Sequence, residues 1–340
     1  MRNSRRLFSG ARARMAWACL ALASLLAVLV ALPVGAEVRH PVMPEAQGPR
    51  QTSAPDAKQF DKKNPGYVPA GSNEFDCSPT ETLPYPVLLA HGTDASAYAD
   101  YARLGPVLRD HGYCVFALNY GLGKPGVNFS PATGLDADTY GTTDMRQSAQ
   151  EVAEAVTRIR TATGAEKVHL IGFSQGANVT RYYVNKLDGA AHVDAWVGIA
   201  SPSYGTDAPP AVAMVPGGET LADDYFAPAL VQQIAGSEFL NDLNSPADTV
   251  EGVRYTTIGT RHDEVIQPLR NTHLKGAGAR NVFIQDSCEI DMSGHFQLPY
   301  SPLVSELVLE ALEPGYQRSD VCTFVPPGVG LLETIIVNNF

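Results

Sequence analysis

The sequence predicts an α/β fold: a mostly parallel central sheet with helices on both faces and a cap-like insertion. Three observations predict it. Short apolar runs alternate with longer stretches of helical periodicity, and no hairpin signal joins any two of the runs. The third observation is Gly172-Phe173-Ser174-Gln175-Gly176, which follows the apolar run 168–171 and opens a helix-like stretch at 177–187. Runs that are apolar throughout suit strands buried on both faces, and parallel neighbours need a crossover that a helix supplies.

The first 36 residues read as an export signal. Arg2, Arg5, Arg6, Arg12 and Arg14, with no acidic residue among them, precede an apolar run at 15–32 and the small-residue pattern Val34-Gly35-Ala36. The run is long enough to span a bilayer as an uncleaved anchor, but the cleavage pattern and the polar stretch after it favour removal. Cys19 lacks the neighbours of a lipidation site. Residues 37–75, rich in Pro, Gln, Ser, Lys and Gly, read as a flexible leader. Without the five signal arginines the formal net charge of −11 becomes −16. Such a surface argues against nucleic-acid partners or anionic membranes held by charge, and suits a secreted protein.

Residues 76–326 read as one catalytic domain. Its strands are expected at 86–90, 113–118, 168–171, 193–200, 253–258 and 281–284. Helices are expected at 98–111, ended by Gly112, at 142–163, ended by Gly164, after the pentapeptide, and at 303–312. The stretch 201–250 lacks sheet character and follows a strand end, so it is expected to lie over the site as a cap. Its apolar residues (Tyr204, Met214, Val215, Leu221, Tyr225, Phe226, Leu230 and Ile234) suit an acyl chain, a lipid interface, or plain packing onto the body. Residues 327–340 form an apolar tail. Cys77, Cys114, Cys288 and Cys322 remain after export, an even number that argues for two disulfides among three connectivities. We prefer Cys77–Cys114 and Cys288–Cys322, which staple neighbouring segments. No C-x-x-C pair or His/Cys cluster points to a metal, no cofactor is implied, and no obligate protein partner is evident.

The pentapeptide carries the chemistry. In a strand–turn–helix setting its central residue is forced into strained backbone angles, and glycine on both flanks removes the clash. Ser174 is then presented at the top of the sheet, with the Gln175 N–H aimed where an oxyanion would form. A serine hydroxyl needs a histidine base oriented by a carboxylate, and in this chain order both follow it on loops leaving strand ends. Asp263, after the strand at 253–258, fits the acid, with Glu264 as the adjacent rival. His295, after the strand at 281–284 and ahead of the last helix, fits the base. His273 sits in a polar loop where exposure is expected, and His262 is too close in sequence to Asp263 to pair with it. The loop His91-Gly92-Thr93 fits the second oxyanion donor through the Thr93 N–H, with the Thr93 hydroxyl as a third bond; a plain capped turn is the competing reading.

Together these residues resemble the secreted bacterial lipases of the lipase class 2 group, α/β-hydrolases common in actinobacteria. The resemblance runs over about 76–326. It is carried by Pro86-Val87-Leu88-Leu89-Ala90-His91-Gly92-Thr93, by Gly112-Tyr113-Cys114-Val115-Phe116-Ala117-Leu118-Asn119-Tyr120-Gly121 and by Ser174-Gln175-Gly176. Arg181-Tyr182-Tyr183, Asp263, Gln285-Asp286-Ser287-Cys288, His295 and Cys322 continue it. The resemblance implies an α/β-hydrolase fold and metal-free hydrolysis of acylglycerols or other carboxylic esters. It implies Ser174 as nucleophile, Asp263 as acid, His295 as base and Thr93 with Gln175 as oxyanion donors, and it supports the two disulfides. The family often carries histidine where this chain has Phe173. That residue is expected to point away from the serine and to alter packing rather than abolish activity. An acyltransferase would use the same triad, and a catalytically silent envelope-binding protein could keep the fold, although an intact candidate triad argues against silence.

Overall fold

The computed structural model describes residues 42–123, 139–207 and 227–330. The export signal, much of the cap-like stretch (including Met214, Val215, Leu221, Tyr225 and Phe226) and the tail from 331 lie outside the described residues. Six strands form one all-parallel sheet among the described residues: β1 (Val87–Ala90), β2 (Val115–Leu118), β3 (Val168–Phe173), β4 (Val193–Ile199), β5 (Arg254–Gly259) and β6 (Arg280–Phe283). Their spatial order is β2-β1-β3-β4-β5-β6, so the winding reverses beside β1. Such a reversal opens a crevice at the carboxyl ends of the strands, because the loops on its two sides depart in opposite directions. Ala90 at the end of β1 pairs with Gly172 of β3, which brings the loop after β1 beside the glycine-flanked turn.

Alternation along the strands loads both faces. Leu88, Phe116, Leu170 and Trp196 pack on one side, against α4 (Met145–Thr163) and α5 (Gln175–Lys186). Val87, Leu89, Ile171 and Val197 pack on the other, against α3 (Leu104–His111) and α8 (Pro302–Leu312). All six expected strands are present. The helix expected at 98–111 is two helices, α2 (Ala97–Tyr101) and α3. Pro106 explains the break: it lacks an N–H and fits only a first turn, so a new helix starts just ahead of it. Gly112 at φ 110° and Gly164 at φ 71° end α3 and α4 as expected, since only glycine takes that left-handed position without strain.

The segment read as a flexible leader is instead built into the body from residue 42 onward. Val42 and Asn119 exchange backbone hydrogen bonds (Val42 N–H to Asn119 O at 3.1 Å and Asn119 N–H to Val42 O at 2.8 Å), and the Asn73 N–H donates to Val115 O at 3.0 Å. Within the segment α1 (Ala54–Lys63) is capped by Ser53, and buries Ala54 and Ala57 in a cluster with Tyr98, Ala102 and Tyr300. Its apolar content is low, but small alanines let the helix approach aromatic residues from distant parts of the chain. The Phe60 ring lies 4.8 Å from that of Tyr98 and 5.5 Å from that of Tyr67. Of the three connectivities open to the cysteines, the structure contains Cys77–Cys114 and Cys288–Cys322. The cap-like stretch contributes two short helices, α6 (Pro228–Gln232) and α7 (Glu238–Leu243). Among the described residues, no helix is long and apolar enough to cross a membrane.

Candidate active site

Ser174 sits between β3 and α5 at φ 50° and ψ −121°, a conformation that costs a non-glycine residue about 1–3 kcal/mol. The surroundings hold it there. Its N–H donates to Ile199 O at 2.8 Å, and only 7 % of it is exposed. The flanking glycines are required by space: a Cβ at Gly172 would stand 2.3 Å from the Ala177 nitrogen, and one at Gly176 would stand 2.1 Å from Ala90 O. Any side chain at Gly176 would therefore pry α5 off the end of β1. Gln175, the first residue of α5, has its N–H free of helical bonding, at the positive end of the helix.

Asp263 and His295 come together as the sequence suggests. The Nδ1 of His295 lies 3.1 and 3.0 Å from the two carboxylate oxygens of Asp263, and both residues are buried. Asp263 Oδ1 also accepts the N–H groups of Val265 at 2.9 Å and Ile266 at 2.7 Å. With Nδ1 facing the carboxylate, the proton of a neutral His295 lies on Nδ1 and leaves Nε2 with the lone pair. Burial alone would push the His295 pKa down. The Asp263 charge and hydrogen bond, with the charges of Glu264 and Asp100, outweigh it, and the net direction is up from the ordinary value of 6.5. The rival carboxylate acts on the backbone instead. Glu264 Oε2 accepts the N–H of His295 at 2.9 Å and clamps the turn from outside. His262 is exposed, whereas His273 is half-buried with its ring 4.5 Å from that of Phe283.

The loop that carries His295 is braced from below. Thr260 donates to Ser293 O at 2.7 Å, and Asp291 accepts the Ser293 N–H at 3.1 Å and the Ser301 hydroxyl at 3.2 Å. The Cys288–Cys322 disulfide closes the same loop at its start. Phe173 does not simply pack elsewhere: its ring lies 5.1 Å from the His295 imidazole, tilted by 45°. Strand alternation sends it to the face where the loop carrying His295 returns.

Across the serine, the loop after β1 is organised by His91. Its Nδ1 lies 2.7 Å from Gly92 O, its Nε2 is 3.3 Å from the Tyr120 nitrogen, and its ring stacks on Tyr120 with centroids 4.3 Å apart. Burial pushes the His91 pKa down to about 4, so the ring is neutral, with Nδ1–H donating and Nε2 accepting. The Gly92 N–H donates to Asp100 Oδ2 at 2.7 Å. Thr93 is thereby held beside Gln175, and its hydroxyl donates to Gln175 Oε1 at 2.6 Å. Among the described residues the backbone N–H groups of Thr93 and Gln175 meet no internal acceptor. The hydroxyl read as a third oxyanion bond is thus engaged with Gln175 in this state. Gln233, which follows α6, completes the group and was not singled out by sequence reasoning. It carries no motif, and only the fold brings its Nε2 to Thr93 Oγ1 and Gln175 Oε1.

Residues 85–282, more than half of the chain, match the family model described as the alpha/beta hydrolase fold. The crystal structure of Aspergillus fumigatus lipase B is similar with a TM-score of 0.59 and 20 % identity, covering 88 % of this chain and 72 % of that one. The propeptide form of Bacillus licheniformis lipase BlEst2 is similar with a TM-score of 0.51 and 16 % identity, covering 72 % of this chain and 54 % of that one. Identities this low speak to the fold. Among curated proteins, none matches the chain.

Proposed function

The chain belongs to the α/β-hydrolase family, and from that premise we propose that it is a secreted serine carboxylic-ester hydrolase, a lipase of the class 2 group that cleaves acylglycerols. The observation that carries the reading is the Asp263–His295 pair, with Nδ1 at 3.0 Å from a carboxylate oxygen, on loops that leave β5 and β6, the His295 ring lying 5.1 Å from that of Phe173, the residue before Ser174. Ser174 Oγ attacks the ester carbonyl as His295 Nε2 takes its proton, and Asp263 stabilises the imidazolium. The carbonyl oxygen gains the negative charge and is met by the N–H groups of Thr93 and Gln175, each worth about 3 kcal/mol in acyl transfer. Collapse of the tetrahedral species expels the alcohol, which receives the proton from His295. Water then repeats the cycle on the acyl-enzyme, releasing the acid. Two disulfides suit an oxidising compartment reached through the signal at 1–36.

Hydrolysis of p-nitrophenyl esters by the wild type and by Ser174→Ala tests the reading. The wild type is expected to turn over, with the variant lower by about a millionfold, the scale of losing a serine nucleophile. Equal activity in the two, or none in either, rejects it. A profile that stops at short acyl chains replaces lipase with esterase.

A further inference from the structure

We infer that Gln233 is a positioning residue for the oxyanion side: its carboxamide holds Gln175 Oε1, so that the Thr93 hydroxyl is free to turn its hydrogen onto the substrate oxyanion. This rests on the ester-hydrolase reading above and adds a residue to it.

The hydrogen count carries the argument. Gln233 Nε2 has two hydrogens and three acceptors in reach: Ala229 O at 2.9 Å, Thr93 Oγ1 at 3.0 Å and Gln175 Oε1 at 3.1 Å. Ala229 O is a backbone carbonyl and cannot flip, so it fixes which end of the amide faces inward and takes one hydrogen. The second is shared between Thr93 and Gln175. Gln175 Oε1 meanwhile receives the Thr93 hydroxyl at 2.6 Å. The Gln175 side chain is fully buried, so an oxygen left without a donor there is costly. Turning the Thr93 hydrogen toward an oxyanion would leave it so, were Gln233 not present. With Gln233 in place, the shared hydrogen settles on Gln175 Oε1 and the hydroxyl is released with no acceptor stranded. One hydrogen bond moves to the developing charge, where it is stronger than to a neutral amide.

The position of Gln233 is itself secured. The residue is 8 % exposed, its N–H donates to Leu230 O at 3.1 Å, and its carbonyl accepts the Thr206 N–H at 3.0 Å. Thr206 Oγ1 donates to Val265 O at 2.8 Å and accepts the Gln267 N–H at 3.1 Å. Those residues directly follow Asp263. The base of the cap is therefore tied to the acid loop, and Gln233 reaches the oxyanion loop from a point fixed relative to the triad.

The test uses the full-length protein, p-nitrophenyl butyrate and a fluorophosphonate that labels an activated serine. Gln233→Leu and Thr93→Val are each expected to lower kcat by about 10- to 100-fold with KM within about twofold, since an oxyanion donor acts in the transition state. Thr93→Ser should restore most of the loss. The double variant should be no worse than the poorer single, because both changes remove the same bond. Gln233→Glu preserves the shape and keeps the test valid if the leucine variant does not fold. Its kcat relative to wild type should rise as the pH falls and its carboxyl regains a hydrogen to donate. Losses that multiply in the double variant, a change confined to KM, or unchanged phosphonylation rates in Gln233→Leu and Gln233→Glu overturn the inference. A wild type that the phosphonate does not label at Ser174 overturns the hydrolase reading instead.

Discussion

Two sides of Ser174 are held by different chemistry. On the base side His295 is ringed by carboxylates: Asp263 at its Nδ1, Glu264 on its backbone N–H, and Asp100 within range of its charge. On the oxyanion side the working groups are neutral. His91 is kept uncharged by burial, and Thr93, Gln175 and Gln233 are hydroxyl and amides in one hydrogen-bonded group. Asp100 borders both, accepting the Gly92 N–H while burial raises its own pKa. The difference follows from what each side must do. A base has to gain a proton and needs charge waiting for it; an oxyanion site has to meet new negative charge, and a carboxylate there would oppose it. Damage to the base side should therefore alter the pH response as well as the rate, and damage to the oxyanion side that introduces no ionisable group the rate alone.

Between the two sides, the largest effect should come from removing the charge that serves the base. Asp263→Asn is expected to lower kcat by about 10⁴-fold, because the amide stabilises the wrong tautomer and offers no charge to the imidazolium. Glu264→Gln, one residue away, should cost less than about tenfold, since its contact with His295 is to the backbone. Steady-state kinetics of the two variants check this. Equal losses would mean that the two carboxylates share the acid role and that the division at Asp263 is wrong.

Next comes the opposite behaviour of the two histidines. His295 should titrate above 6.5 and His91 near 4, read from imidazole ¹³C shifts assigned with His91→Asn and His295→Ala. The signs for stability are opposite as well. The raised group stabilises the fold most below its unfolded pKa, and that contribution fades as the pH rises through its folded value. The depressed group contributes fully above 6.5 and loses its contribution as the pH falls toward about 4. If His91 titrates together with His295, the oxyanion loop is neither dry nor neutral.

Legibility in the sequence also divides unevenly. The strands could be read because they are buried on both faces, as in Val87–Ala90, which is apolar throughout, and Val168–Phe173, where His169 is the one polar residue. The serine turn could be read because its two glycines answer contacts of 2.3 and 2.1 Å that no other residue allows. Asp263 and His295 could be placed by chain order. The helix α1 could not, because Ala54 and Ala57 look like filler until Tyr98 and Tyr300 are folded over them. Gln233 was hidden for a related reason: a single amide has meaning only through the partners that the cap's return path gives it. An effect of Phe173 on packing near the site could be expected, but not its partner: His295 comes from a loop more than a hundred residues later.

The smallest effect divides the two sides most finely. The base must be unprotonated to act, so activity should fall about tenfold per pH unit below the His295 midpoint, which is raised from the ordinary 6.5. Among the causes of that upward shift is the Glu264 charge, after the stronger contribution of Asp263. Removing it in Glu264→Gln makes the imidazolium less stable, so the acid limb should move down by less than about one unit. Thr93→Val removes no charge and should lower the plateau of kcat/KM while leaving the midpoint where it was. Rate profiles from about pH 5 to 9 on all three proteins distinguish these outcomes. A midpoint that moves in Thr93→Val would show that the neutral side contributes to the field at His295. A midpoint unmoved in Glu264→Gln would leave Asp263 alone holding the base.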